Sequence, residues 1–279
     1  MLLITSDSEL RSYVPNALAT VAGEMSLFDK IRADLELSEQ WLTIHFVEAS
    51  LIEKIVSEEG YHEAAYMCRR AVVADALLRS VPSLDLVLTP NGFGIVNNQN
   101  VVPASKDRVD RLLANLELVR DRSLQQLLHL LPKVATTDWL LTEAGQYFAA
   151  TLFPNLDLPA LLGHTDKLWE RYQQYQAQLK LIEAELADKF ISPELYERLR
   201  RRFIEGSCDI VELDLSNRLR AIELALLKGK PLDVPALHSI VTYIRNNPAD
   251  FPEWAASDTA THYTDQSFHN KKQSGGYWL

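Results

Sequence analysis

Apolar residues recur every three or four positions along most of the chain, the spacing of amphipathic helices and not of strands. Ser6-x-x-Glu9 has the form of a capping box and opens a short turn that Pro15 ends. Ser26 can cap a helix carrying Leu27, Phe28, Ile31 and Leu35. Trp41 to Glu59 reads as one helix, with Trp41, Ile44, His45, Leu51, Ile52, Ile55 and Val56 on a single stripe and Gly60 as its stop. A second long helix runs from Tyr61 to Arg79. Its alanines, Ala64, Ala65, Ala71, Ala74 and Ala76, allow a neighbouring helix to approach closely, and Pro82 ends it.

The pattern then changes. Residues 84–97 have the alternation and β-branched content of strands, and Pro90-Asn91-Gly92 is a turn signal, because proline fixes φ while Asn and Gly tolerate positive φ. They read as a β-hairpin of Leu84–Leu88 with Phe93–Asn97. Ser105 then caps the longest helix, with Asp107 and Asp110 near the positive end of its dipole. Val109, Leu112, Leu113, Leu116, Val119, Leu127, Leu128 and Leu131 hold one face of it as far as Pro132, and Asp107 and Arg111 form an i,i+4 pair.

Residues 133–165, with Trp139, Tyr147, Phe148 and Phe153 among Pro154, Pro159 and Gly163, are too apolar for a free linker and predict irregular or short elements. Thr165 or Asp166 caps a helix to about Phe190. Ser192-Pro193 starts another, stopped by Gly206. Cys208–Lys228 and Val234–Asn246 complete the helices. From Ser257 the helical period is gone and Tyr263, Phe268, Tyr277 and Trp278 stud a polar sequence, which predicts an extended tail lying over its own or a neighbouring subunit.

The fold class is therefore mostly α: a helical bundle with one β-hairpin (about 84–97) and an extended C-terminal tail. It divides into an N-terminal half (1–132), a connection (133–165), a C-terminal half (166–256) and the tail (257–279). Arg69–Leu78 faintly echoes Arg218–Leu227, which raises a divergent duplication as one explanation of the two halves.

Composition narrows the classes. The hydrophobic fraction of 47% and charged fraction of 24% are globular values. No apolar run approaches the roughly 20 residues of a membrane span, and the first residues do not read as a signal peptide. Two cysteines, Cys68 and Cys208, make no disulfide framework. A net charge of −10 disfavours coating nucleic acid.

No stretch carries a catalytic motif. There is no phosphate-binding loop, and Asn91-Gly-Phe-Gly follows a strand without opening a helix, so the dinucleotide reading fails on context. His45 with His62, and His262 with Asp265 and His269, are conceivable metal sets, but such residues are more often packed or solvated. Cys68 sits on the alanine-rich helix as a small core residue, since a nucleophile needs a basic neighbour on its own face. Arg198, Arg200, Arg201 and Arg202 form the one basic cluster. Glu194, Glu197 and Glu205 flank it and predict a salt-bridged surface. The reading is of no catalytic residues, no metal and no cofactor.

The stretch Ser83–Leu112, with Pro90-Asn-Gly-Phe-Gly-Ile-Val-Asn-Asn at its centre, resembles the signature segment of a family of uncharacterised phage and prophage virion proteins of gut bacteria. Phe251-Pro-Glu-Trp and His269-Asn-Lys-Lys-Gln-Ser-Gly-Gly-Tyr-Trp are similar to that family's C-terminus. The resemblance implies a non-enzymatic head–tail connector, a neck adaptor whose copies form a ring, often of twelve, below the portal. Its partners would be other copies of itself, the portal protein and the next neck or tail protein. DNA would be passing cargo only, and no membrane is involved. It would be located in the virion neck, and in the host cytoplasm during assembly. Another phage assembly or tail-completion protein is the alternative, and a DNA-processing factor a more distant one. The candidate partner-binding residues are Asn91, Gly92, Phe93 and Gly94 at the hairpin and Phe268, Tyr277 and Trp278 in the tail.

Overall fold

The computed structural model describes residues 3–14, 25–84, 86–89, 92–95 and 105–263, with 86–89 and 92–95 described by their backbone alone. The described chain is mostly helical. Helix α1 (Asp7–Tyr13) starts where Ser6 accepts the Glu9 N–H. The Glu9 carboxylate takes the N–H of Thr5, one residue earlier than a capping box requires. Helix α2 (Leu27–His45) is capped by Ser26 and buries Phe28, Ile31, Leu35 and Leu42 on one stripe.

Here the single helix expected over residues 41–59 breaks. The backbone leaves α2 at Phe46, and α3 (Ala49–Ser57) begins after Glu48. The cause is tertiary: Phe46 and Val47 are both wholly buried, and the Phe46 carbonyl accepts the indole N–H of Trp139 at 2.8 Å, from 93 residues further along. Gly60 does not stop this helix, which ends at Ser57. It lies in a 3₁₀ turn, Glu59–Tyr61. Helix α4 (His62–Ser80) follows. Its small side chains let α2, α3 and α5 (Lys106–Val134) pack around it, so Ala64, Ala65, Cys68, Ala71, Ala74 and Ala76 are all buried.

Strands β1 (Leu86–Thr89) and β2 (Gly92–Ile95) pair antiparallel in the register Leu86↔Ile95, Val87↔Gly94, Leu88↔Phe93 and Thr89↔Gly92. The turn residues Pro90 and Asn91 lie outside the described residues. Helix α5 continues two residues past Pro132, because a proline in the last turn removes only one intrahelical bond. Arg111 donates to the Asp107 carbonyl at 3.1 Å and not to its carboxylate, so the expected charge pair is a side-chain-to-backbone bond.

The segment 133–165 folds as three short helices, α6 (Thr136–Leu140), α7 (Glu143–Ala149) and α8 (Asp157–Leu161). It also supplies the centre of the core. Trp139, Phe148, Leu152, Phe153, Leu156 and Leu158 are fully or almost fully buried. Phe148 has Phe46, Trp139, Trp169 and Tyr172 around it, at ring-centroid distances of 5.4 to 6.2 Å. Gly145 makes the α6–α7 turn possible: a Cβ there would lie 2.0 Å from the Trp139 carbonyl oxygen, far inside contact distance.

Helix α9 (Leu168–Leu186) has Lys167 at its N-cap, one or two residues later than Thr165 or Asp166 would place it. Its first N–H, that of Leu168, is taken at 2.7 Å by the Asp121 carboxylate of α5, a cap supplied from another helix. A π-helical turn (Ala187–Ile191) leads to Ser192, which caps α10 (Pro193–Glu205), and Gly206 ends that helix at φ 67°. Asp209 and Glu212 form a capping box for α11 (Ile210–Leu227), and Asp233 caps α12 (Val234–Asn246). Helical structure continues past Ser257, where an extended tail is expected to begin. After α13 (Pro252–Ala255), Ser257 caps α14 (Asp258–Thr261), which buries Thr259 and Ala260. The Tyr263 hydroxyl donates to the Lys189 carbonyl at 3.0 Å. Residues 264–279 lie outside the described residues.

Candidate partner surfaces and a buried carboxyl pair

The residues expected to meet a partner fall into two groups. Gly92, Phe93 and Gly94 form the backbone of β2, opposite Thr89, Leu88 and Val87. Asn91, Phe268, Tyr277 and Trp278 lie outside the described residues.

A further surface stands beside the strands in sequence. In α5 the first buried residue is Arg120, so the apolar stripe of Val109, Leu112, Leu113, Leu116 and Val119 is left half-covered or open, with Leu112 at 46% exposure. Its spacing, Val109-Leu112-Leu116-Val119, alternates three and four, the seam of a helix that packs along another helix. This eleven-residue span is about 16 Å long. Arg120 marks where the helix enters the body. Its guanidinium lies 2.9 Å from Asp121, 3.0 Å from Glu170 and 3.5 Å from Asp75, and stacks 5.6 Å over Trp41.

A groove of about 780 Å³ opens between α6–α7 and α10. Leu140, Leu141, Ala149 and Ile204 give it an apolar lining, and Arg200 and Arg201 stand on its α10 side. Leu141 is 74% exposed. Most of the arginines of α10 are engaged. Arg198 holds Glu253 at 2.7 Å and Glu212 at 3.2 Å. Arg202 holds Glu212 at 2.7 Å and the Ser207 carbonyl. Arg200 donates to the Ala150 carbonyl at 2.8 Å, and Arg201 pairs with Glu205 on the surface. Of the three expected acidic flanks only Glu205 forms such a pair among the described residues. The other partners come from α9, α11 and α13, so the cluster ties helices together.

Behind Arg200 lies a feature that composition and motif reading passed over. Glu183 of α9 and Glu223 of α11 are buried. Glu183 accepts the Leu152 N–H at 2.7 Å, and Glu223 accepts the Tyr196 hydroxyl at 2.9 Å. Burial pushes Glu183 up to about 7, and holds Glu223 well above the usual carboxylate range, helped by the charge of Glu183. The signal was present in the sequence: each acid sits on the apolar stripe of its helix, Glu183 between Leu179 and Leu186, Glu223 beside Leu219 and Ile222.

The other candidate groups have structural surroundings. His45 lies between Trp41 and Trp169, and burial lowers its pKa. His62 contacts the Glu59 carbonyl. Cys68 is wholly buried and its thiol is pushed up to about 12; Cys208 is pushed up to about 11. Among the described residues no group of three or more His, Cys, Asp or Glu is placed to hold a metal, and no helix is long and apolar enough to cross a membrane. His262 follows α14, while Asp265 and His269 are outside the described residues.

Residues 17–149 match the model of a family of unknown function (DUF6712), a stretch of just under half the chain that ends with α7. No curated protein and no solved structure matches the chain.

Proposed function

We propose that this chain is a non-enzymatic structural protein of a phage virion, a head–tail connector whose copies form a ring below the portal and pass a face to the next neck or tail protein. The observation that carries the reading is the apolar seam of α5, Val109, Leu112, Leu116 and Val119, left half-covered or open at the helix end that follows the paired strands. A ring subunit needs side surfaces for its neighbours, and a helical seam next to a β-hairpin offers two ways of making them: helix packing and strand addition. The acidic net charge of −10 suits a wall past which DNA moves without being held. The likeness of residues 83–112 and of the C-terminal segments to phage and prophage virion proteins supplies the class. The protein resides in the virion neck after assembly in the host cytoplasm.

The test is the mass of the purified protein by light scattering, alone and with portal protein, together with imaging of virions. A ring at the portal vertex is expected. A monomer that is absent from purified particles overturns the proposal. Removing residues 264–279 is expected to weaken assembly more than folding. A sharp drop in Tm, with normal assembly of the folded fraction, would make the tail a part of its own subunit. The second reading, another phage assembly or tail-completion protein, predicts a place away from the portal vertex or absence from the mature particle.

A further inference from the structure

Two apolar features lie uncovered at opposite ends of α5. At its start are Val109 and Leu112, the outer residues of the seam. At its end, α6 and α7 form one wall of the groove and α10 the other, and Leu141 stands exposed in it. Along the helix axis Leu112 is about 33 Å from Val134, and α6 follows at once. The seam of one chain therefore cannot enter the groove of the same chain, and only a second copy brings the two together. Their dimensions match. The seam is about 16 Å long. Helix α10 lines the groove with Pro193, Glu197, Arg200 and Ile204, a stripe spaced four, three and four that runs for about 18 Å. With Leu140, Leu141 and Ala149 opposite, the groove has the apolar lining that a valine and leucine stripe requires.

Charge selects between the occupants. The seam could pack antiparallel on the seam of a second copy, with Val109 opposite Val119 and Leu112 opposite Leu116. Arg108 would then meet Arg122 on one flank and Lys106 would meet Arg120 on the other, and like charges beside a helix seam oppose pairing. The groove offers the opposite sign. Its arginines are committed, Arg200 to the carbonyls of Tyr196 and Ala150, and Arg201 to Glu205. That leaves Glu197 as the charge of the lining with no ion pair among the described residues. The Arg108 side chain, one turn before Leu112, also has no ion pair among the described residues.

We propose that the first half of α5 of one copy lies in the groove between α6–α7 and α10 of the next copy, with Arg108 set against Glu197. The contact rests on the ring reading and names the two faces that neighbouring subunits share. It joins two different patches, so a bound pair still has one free seam and one free groove. The contact therefore repeats head to tail and closes into a ring when the rotation per copy allows it. A seam-to-seam contact would stop at a dimer.

Thiol cross-linking of the full chain with a flexible bismaleimide tests the contact. A Cys208→Ser background removes the partly exposed native thiol, and Cys68 is wholly buried. Leu112→Cys and Leu141→Cys each replace an exposed side chain. A mixture of the two variants is expected to give a linked dimer, and neither variant alone. Adding Arg108→Glu is expected to lower that yield about two- to fivefold, and Glu197→Arg to restore it; no restoration overturns the Arg108–Glu197 pairing. Leu141→Asp, which sets a charge in the apolar groove, is expected to weaken self-association about tenfold in light scattering with Tm unchanged. Linked dimers from Leu112→Cys alone overturn the proposal, and so does a Leu141→Asp variant that associates like the wild type. Assembly without the mixed cross-link, alone or on the portal, overturns this contact and leaves the ring reading in place. A chain that stays monomeric with and without portal protein, and is absent from particles, overturns both.

Discussion

Along α5, Val109, Leu112, Leu116 and Val119 in the first half repeat the three-and-four spacing of Leu124, Leu127, Leu128 and Leu131 in the second. The second set is buried to 2% exposure or less, whereas no residue before Arg120 is buried. The difference lies in what stands opposite each half. The second half meets α4, α6 and α10 and is tied to α8 through Gln125 and His129 on Asp157. The first half keeps only Leu116 against the core and is otherwise little covered before Arg120, the residue that anchors the helix to Asp75, Asp121 and Glu170. An apolar stripe requires a covering surface, but the stripe does not state which molecule supplies it.

Four variants probe that contrast. The largest effect is expected at the boundary. Arg120→Ala leaves Asp121 buried without its cation, while Asp75 keeps Arg79, and should lower stability by about 3–5 kcal/mol in urea unfolding. In the buried half, Leu127→Ala should cost about 2–5 kcal/mol through lost burial and a cavity. Asp157→Asn should cost about 1 kcal/mol at pH 7. The His129 hydrogen bond is the main cause holding the Asp157 pKa below its ordinary value. Its contribution is therefore present above the unfolded pKa and lost as pH falls below about 4. The variant should show a shallower loss of stability in that acid window. The smallest stability effect belongs to the open half. Val109→Ser with Leu112→Ser should change folding by no more than about 0.5 kcal/mol per site, while reducing self-association measured by light scattering. If this pair lowers Tm as far as Leu127→Ala, the two halves are packed alike and the contrast fails.

Much of the helical body was legible because its signals are local. Ser26 and Ser192 cap the helices their positions predict, and Gly206 ends α10 in the left-handed conformation that glycine tolerates. The misses share one cause: a distant residue decides the local conformation. Trp139 takes the Phe46 carbonyl and helps interrupt a continuous apolar stripe. Asp121 caps α9 from α5, so neither Thr165 nor Asp166 serves. Ser257 and Tyr263 fix residues expected to trail away. At the candidate surfaces the alternating spacing of α5 was readable, but its exposure was not. The charges of Glu183 and Glu223 were visible as acids on apolar stripes, yet only their burial gives them a chemistry.

By itself the sequence determined which residues turn into helix, where most helices start and stop, and which face of each is apolar, because these depend on neighbours within about four positions. Only the tertiary structure decided which faces are covered. It made 133–165 the aromatic centre of the core, turned the arginines of α10 into ties between helices, left one half of α5 open, and brought two acids into the interior. Each of these outcomes depends on groups tens of residues apart, and on whether burial removes water from them.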